Sequence, residues 1–412
     1  MSRFRTISDV DVAWRTVLMR VDLNVPIRDG KVTDTTRIAR VAPTIADMVK
    51  RRAKVIVLSH LGRPKGKRSA EYSLAPVAPA LAAALGQEVT FLPDCIGPEI
   101  EAALAHAKPG EVYLLENVRF HAGEEKGDME FAQALAKLGE IFVSDAFSSS
   151  HRAHASITGL ADLLPSFAGQ LMGAEISALE QALENPKRPT AALVGGAKIS
   201  SKIAVLEHLV TKMDRIIIGG GMANTFLLAK GVQVGKSLIE ADMVETAARI
   251  MQKAGEKGCE VLLPTDVVVA EVFAANAPHV VVPVDQVSAD GMILDAGPQT
   301  VAMLERSLET LSTLLWNGPL GAFEMEPFGN ATFAVARKAA DLVSAGKLVA
   351  VAGGGDTVAA LNAAGVADRF TYVSTAGGAF LEWLEGRELP GVAALLDNQS
   401  SAHRKANLEE VR

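Results

Sequence analysis

Arginine and histidine follow the strand-like runs in the first half of this chain, whereas glycine clusters and lysines follow those of the second half. The first set comprises Arg20-Val-Asp22-Leu-Asn24, Arg37, His60-Leu-Gly-Arg63, Arg119 and His151-Arg152. The second comprises Gly195-Gly-Ala-Lys198, Lys202, Gly219-Gly-Gly221, Trp316-Asn-Gly-Pro319 and Gly353-Gly-Gly-Asp-Thr357. Guanidinium forks bond phosphate or carboxylate oxygens in pairs, so the first set suits a small, multiply charged anion held by side chains. A strand–glycine–helix turn presents free backbone N–H groups, so the second suits phosphates held by the main chain. Two such lobes predict phosphoryl transfer, with one substrate on each lobe and the two sets facing one another over a shared gap.

Individual positions sharpen the expectation. Asp22 and Asn24 follow a strand directly and, two residues apart, fall on one face. His60 and Arg63 follow the next strand, Arg119 the third and Arg152 the fourth, where ligands of parallel α/β sheets bind. Lys198 and Lys202 share a helical face if the helix begins near Lys198. In the second glycine turn, Asp356 offers a carboxylate for Mg²⁺ and Thr357 a hydroxyl for phosphate. The run Gly231-Val-Gln-Val-Gly235-Lys-Ser237 imitates a phosphate-binding loop, but it has one residue too few between its glycines and no preceding strand. It reads as a turn between helices. His151 and His154 lack a third ligand at suitable spacing and predict no metal.

The elements that must position these residues alternate between apolar β-branched runs and helical periods, the pattern of parallel sheets covered by helices. Strands are expected near 17–21, 54–58, 112–115 and 141–144, and again near 191–194, 215–218, 260–263, 313–316, 348–352 and 371–373. Helices are expected near 37–51, 74–85 and 97–107, then near 200–211, 240–257, 328–344 and 356–364. The fold class is therefore α/β, with two doubly wound, Rossmann-like parallel-sheet domains joined by a hinge helix. The domains are placed at 1–171 and 190–389, the interdomain helix at 172–189, where Pro186 and Pro189 end it, and a tail at 390–412 that can fold back onto either domain, the first included.

Bulk properties narrow the class. A chain of 412 residues favours two domains. With 49% hydrophobic and 22% charged residues, it is an ordinary globular protein. A net charge of −7 argues against nucleic acid as a partner, yet residues 1–63 carry thirteen Lys/Arg against six Asp and no Glu. Cys95 and Cys259 form no disulfide or zinc pattern. The absence of a signal pattern and of long apolar runs predicts a cytoplasmic protein with no membrane association. A non-catalytic two-lobed binding protein would need no second anion site with paired lysines and Asp356. A dehydrogenase would need a Gly-x-Gly-x-x-Gly after a strand, and none occurs.

Taken together, the runs Arg20-Val-Asp-Leu-Asn-Val-Pro26, Leu58-Ser-His-Leu-Gly-Arg-Pro64, His151-Arg-Ala-His-Ala-Ser156, Gly195-Gly-Ala-Lys198, Trp316-Asn-Gly-Pro-Leu-Gly-Ala-Phe-Glu324 and Gly353-Gly-Gly-Asp-Thr357 resemble the signatures of the phosphoglycerate kinase family, in its order. The resemblance implies a hinged, monomeric, glycolytic kinase that moves a phosphoryl group between ATP and 3-phosphoglycerate, giving ADP and 1,3-bisphosphoglycerate. It implies that Asp22, Asn24, Arg37, His60, Arg63, Arg119 and Arg152 bind the phosphoglycerate, with Arg20 in support. Lys198, Lys202, Asn317, Glu324, Gly353, Gly354, Gly355, Asp356 and Thr357 would bind the nucleotide, Glu324 at the ribose and Asp356 at Mg²⁺. Arg37, Lys198 and Lys202 would be catalytic. Ser148–Ser150, Ser201, Ala376 and Phe380 depart from the family's usual residues without removing any that the chemistry needs.

Overall fold

A computed structural model describes residues 4–396. The described residues divide into two compact units, one drawn from Met1–Glu175 and Glu388–Arg412, the other from Ile176–Arg387. The tail expected at 390–412 is helical over 390–396, and its remainder lies outside the described residues. Among the described residues, no helix is long and apolar enough to cross a membrane.

The first unit is built on β1 (Thr16–Val21), β2 (Lys54–Leu58), β3 (Val89–Leu92), β4 (Val112–Leu115), β5 (Ile141–Asp145) and β6 (Ser166–Ala168). All pair in parallel, in the spatial order β3-β4-β2-β1-β5-β6. Both faces are covered, so the central strands are almost continuously apolar. Val17, Met19 and Val21 pack on one face with Ile38, Ile45 and Met48 of helix Thr36–Lys50 and Leu81 of helix Ala78–Leu85. Leu18 packs on the other with Ile100, Leu104, Phe131 and Leu135. Arg20 falls on the side of Leu18 by the two-residue period, which carries its charge into the helix layer, where it is fully buried.

Chain order leaves β1 in two directions, toward β2 and toward β5, and the loops after these strands line the crevice of a parallel sheet. Those loops carry Asp22 and Asn24, His60 to Arg63, and Ser148 to Arg152. The tail returns to this unit: Gly391 N–H donates to Ser150 C=O at 2.8 Å, and Ala394 packs against the Leu18 side of the core.

The second unit is built on β7 (Thr190–Val194), β8 (Arg215–Ile218), β9 (Glu260–Leu262), β10 (Thr313–Asn317), β11 (Val349–Gly353) and β12 (Tyr372–Ser374). They pair in parallel in the order β9-β8-β7-β10-β11-β12, the dinucleotide-fold arrangement with its switch point between β7 and β10. Leu193, Leu314 and Trp316 form the core with helices Pro298–Glu309 and Asn330–Ser344.

A separate antiparallel sheet of His279–Pro283, Asp266–Ala270 and Met292–Ala296 interrupts the alternation. Strand–helix alternation assigns nothing there, nor does it assign helices Gly221–Ala229 and Pro298–Glu309. The helix at the junction spans Gln170–Leu179 and continues as a wider turn over Glu180–Glu184.

Candidate active site

In the first unit the site grows from the end of β1. Asp22 is buried, and its Oδ2 accepts from the Arg37 guanidinium, in the first turn of helix Thr36–Lys50, and from the Ser148 hydroxyl. Its Oδ1 accepts from Asn24 N–H at 2.9 Å. Burial alone would raise the Asp22 carboxyl, but His60, Arg37, the Ser148 hydroxyl and the Asn24 N–H hold it down to about 2. His60 is pushed well below the ordinary imidazole range by burial and by Arg20, Arg119 and Arg37, against the pull of Asp22. It is therefore neutral near pH 7, where the charge that holds Asp22 ionised comes from Arg37.

Gly62 ties three loops together. Its N–H donates to Asn24 Oδ1 at 2.9 Å, and its C=O accepts from Arg119 Nη1 at 2.8 Å. Its φ of +60° and the Tyr72 ring, 2.4 Å from where a Cβ would stand, admit only glycine. Arg63, next in the chain, is exposed, as is Arg152. Their charges reach the cluster at a distance, Arg63 acting on Arg119 and Arg152 on His154. Direct contacts thus join Asp22 to Arg37 and to Asn24, and Asn24 through Gly62 to Arg119.

Two further groups belong here. Arg20 donates from Nε to Ser156 Oγ at 2.9 Å, from Nη1 to Val21 C=O and from Nη2 to His60 Nδ1 at 3.2 Å. Ser156 donates from its hydroxyl and N–H to the two oxygens of fully buried Glu124, at 2.6 and 2.8 Å. Ser148 bonds the Asp22 carboxylate directly, so the sequence departure at 148–150 adds a candidate residue that family resemblance passes over. The signal was a hydroxyl at the end of β5.

In the second unit the centre is Lys202. Its Nζ donates to Gly195 C=O at 2.7 Å, to Asn317 C=O at 3.0 Å and to Asn317 Oδ1 at 2.5 Å, so one ammonium spans the ends of β7 and β10. Burial pushes it down to about 8, against the pull of Asp356. Asn317 Nδ2 donates to Gly353 C=O at 2.7 Å, and Thr357 Oγ1 accepts from Gly318 N–H at 2.7 Å, keeping its own O–H to donate. Gly354, at φ +98°, turns the chain into helix Gly355–Ala363, whose first turn carries exposed Asp356.

One expectation is corrected. The helix after β7 begins at Ile203, so Lys198 and Lys202 share no helical face. Ser200 donates to Glu240, and the Ser201 hydroxyl donates to Lys198 C=O at 2.8 Å, which holds 198–201 as an open loop with Lys198 exposed.

Beside this loop lies a cavity of about 490 Å³ lined by Gly196, Gly221, Leu238, Phe273, Leu294 and Glu324, among others. Its apolar walls come largely from segments to which the sequence assigned no role. Leu238 and Phe273 among them are large apolar side chains left exposed. The imitation phosphate loop at Gly231 follows helix Gly221–Ala229 and precedes helix Val244–Glu256, as read.

The remaining departures have structural accounts. Ala376 stays out of the left-handed region and donates its N–H to Ser374 Oγ at 3.2 Å. Phe380 is fully buried, with its ring 2.7 Å from where a Cβ on Gly353 would stand. Cys95, read without partners, lies within 4.8 Å of ligand atoms of Asp94 and His121. There Asp94 bonds Arg68 and His121, each at 2.7 Å, and burial raises the thiol well above its ordinary value.

Residues 7–387 match the phosphoglycerate kinase family. The phosphoglycerate kinase of Methylobacterium radiotolerans is 60% identical over 396 residues, covering 96% of this chain and 99% of its relative. That of Rhodospirillum centenum is 59% identical over 392 residues, covering 95% and 99%. Among solved structures, phosphoglycerate kinase from Coxiella burnetii superposes with a TM-score of 0.90 at 43% identity, over 96% of this chain and 99% of that one. The enzyme from Pyrococcus horikoshii does so at 0.79 and 31% identity, with the same coverage. With its two parallel α/β sheets and matches of this extent, this chain belongs to the phosphoglycerate kinase family.

Proposed function

We propose that the chain transfers a phosphoryl group reversibly between ATP and the carboxylate of 3-phosphoglycerate, as a cytoplasmic, monomeric enzyme of glycolysis and gluconeogenesis. The observation that carries this reading is the position of Lys202. It is a partly desolvated ammonium at the strand-order switch point, beside Asp356 and the Gly353–Thr357 turn. Its three N–H groups are held by carbonyl oxygens, and exchanging one of these for a phosphate oxygen brings the charge onto the nucleotide.

The nucleotide is assigned to the second unit. The base enters the apolar cavity and Glu324 takes the ribose. Lys198, Lys202, Asn317 and the N–H groups of Gly353 to Thr357 hold the phosphates. Mg²⁺ fits Asp356: the carboxylate is exposed at a helix start, and this ion binds through one or two carboxylates and substrate phosphates while keeping several waters. When bound, it supplies charge neutralisation on the polyphosphate.

The phosphoglycerate is assigned to Asn24, Arg37, His60, Arg63, Arg119 and Arg152, with Asp22 orienting Arg37 and accepting from the substrate hydroxyl. The acceptor carboxylate is ionised at neutral pH, so no general base is required, in keeping with a neutral, cation-surrounded His60. Catalysis then rests on in-line placement and on cations around the moving phosphoryl oxygens: Arg37, Lys198 and Lys202. The reaction requires the loaded units to bring donor and acceptor into line. A coupled assay for ADP should show turnover that depends on 3-phosphoglycerate. ATP binding without such turnover would defeat the reading.

A further inference from the structure

We propose that Arg20 is a positioning residue that locks His60 in the tautomer protonated at Nε2, so that His60 meets the bound anion as a neutral hydrogen-bond donor. The inference rests on the reading of this cluster as the phosphoglycerate site. Arg20 Nη2 lies 3.2 Å from His60 Nδ1. A guanidinium has donors only, so Nδ1 must offer its lone pair, and the ring proton of a neutral imidazole then sits on Nε2. Protonating both nitrogens would set an N–H against a guanidinium N–H, in a buried pocket that already holds Arg20, Arg37 and Arg119.

The lock is rigid because Arg20 has no freedom to turn. It is fully buried in β1, and three of its nitrogens are committed, to Ser156, to the Val21 carbonyl and to His60. Ser156 is itself fixed by Glu124 through two hydrogen bonds. A buried arginine inside an otherwise apolar strand is costly unless each donor is used, and here one donor sets the chemistry of the neighbouring ring. A neutral donor gives the substrate a hydrogen bond without adding a further charge to a crowded cationic site. It also leaves no ring nitrogen free to act as a base.

Nitrogen-15 spectroscopy of histidine-labelled full-length enzyme at pH 7.5 tests this, with the His60 signal assigned by its loss in His60→Gln. The expected result is an unprotonated Nδ1 and a protonated Nε2 in the ligand-free enzyme. A proton on Nδ1, or on both nitrogens, overturns the proposal. Arg20→Met should mix the tautomers and raise the KM for 3-phosphoglycerate about tenfold, the scale of one charge-assisted hydrogen bond. Arg20→Lys keeps the charge but cannot span His60 and Ser156, and should rescue neither readout. Wild-type tautomer and KM in both variants would remove Arg20 from the role. An unchanged KM in His60→Gln would instead count against His60 as a substrate ligand, and so against the site reading.

Discussion

Lys202 should give the enzyme an alkaline limb. An exposed lysine titrates near 10.5, and burial brings this one down to about 8. The difference is a preference for the uncharged amine on the order of 3 kcal/mol. If the protonated form is what meets ATP, kcat/KM for ATP should be level up to about pH 7.5 and then fall about tenfold per pH unit above 8. Bound polyphosphate restores the charge. The limb in kcat, which reports the loaded enzyme, should therefore lie at least about one unit higher than the limb in kcat/KM. Initial rates of ADP formation across pH 6 to 10 at constant ionic strength measure both limbs (roughly the range over which such a group titrates). The control is Lys202→Arg, whose guanidinium stays charged throughout: its profile should lose the limb even though the altered side chain lowers the rate. A wild-type kcat/KM that stays level beyond pH 9 would refute the reasoning (about one unit above the titration), as would the same limb in Lys202→Arg.

Three other perturbations have definite outcomes. Arg37→Ala should lower kcat by at least about 10², a conservative floor against the roughly 10³–10⁵ that an arginine on a moving phosphoryl group contributes, with ATP affinity nearly intact by calorimetry; a change confined to KM would contradict the role. Gly353→Ala drives a methyl into the Phe380 ring and should lower stability by about 1–3 kcal/mol and weaken ATP binding. Adding Phe380→Leu should recover much of that loss in thermal melts and titrations, whereas strict additivity would mean that the ring and the turn are uncoupled. Asp22 has a folded pKa of about 2 against an ordinary 3.8, so its contribution is present above pH 3.8 and lost as pH falls through 2. Asp22→Asn should therefore lose about 2 kcal/mol in denaturant unfolding at pH 7 and nothing at the acid end.

The parallel sheets were legible because their strands are apolar runs that stop in charged or glycine-rich loops. Lys54–Leu58, Val112–Leu115 and Arg215–Ile218 begin and end where the sequence puts them. What escaped is local or context-bound. Asp266–Ala270 and His279–Pro283 carry valine triplets, but they form an antiparallel insert that alternation does not anticipate. The cavity walls are ordinary leucine, methionine and phenylalanine, whose meaning appears only when β-strand Met292–Ala296 and the Leu238 segment are brought together. The charged residues of the candidate site could be picked out one by one. Their partnerships were not: nothing in the spacing of Ser148 or Ser156 shows that one binds Asp22 and the other steers Arg20. The helix start at Ile203 was misplaced because Glu240, forty residues on, captures Ser200 and keeps the lysine loop open.

The chain leaves the first unit at Glu175 and re-enters it at Glu388. A ribosome therefore finishes the second unit while the first still lacks its closing piece. Ile176–Arg387 is a continuous segment with its own core, free to collapse as it emerges, whereas Gly391 and Ala394 reach Ser150 and the Leu18 layer only after that segment has been made. Messages truncated just short of codon 388 would yield a finished second unit joined to an unsealed first one. The first unit is thus sealed only by chain made after the second unit is complete.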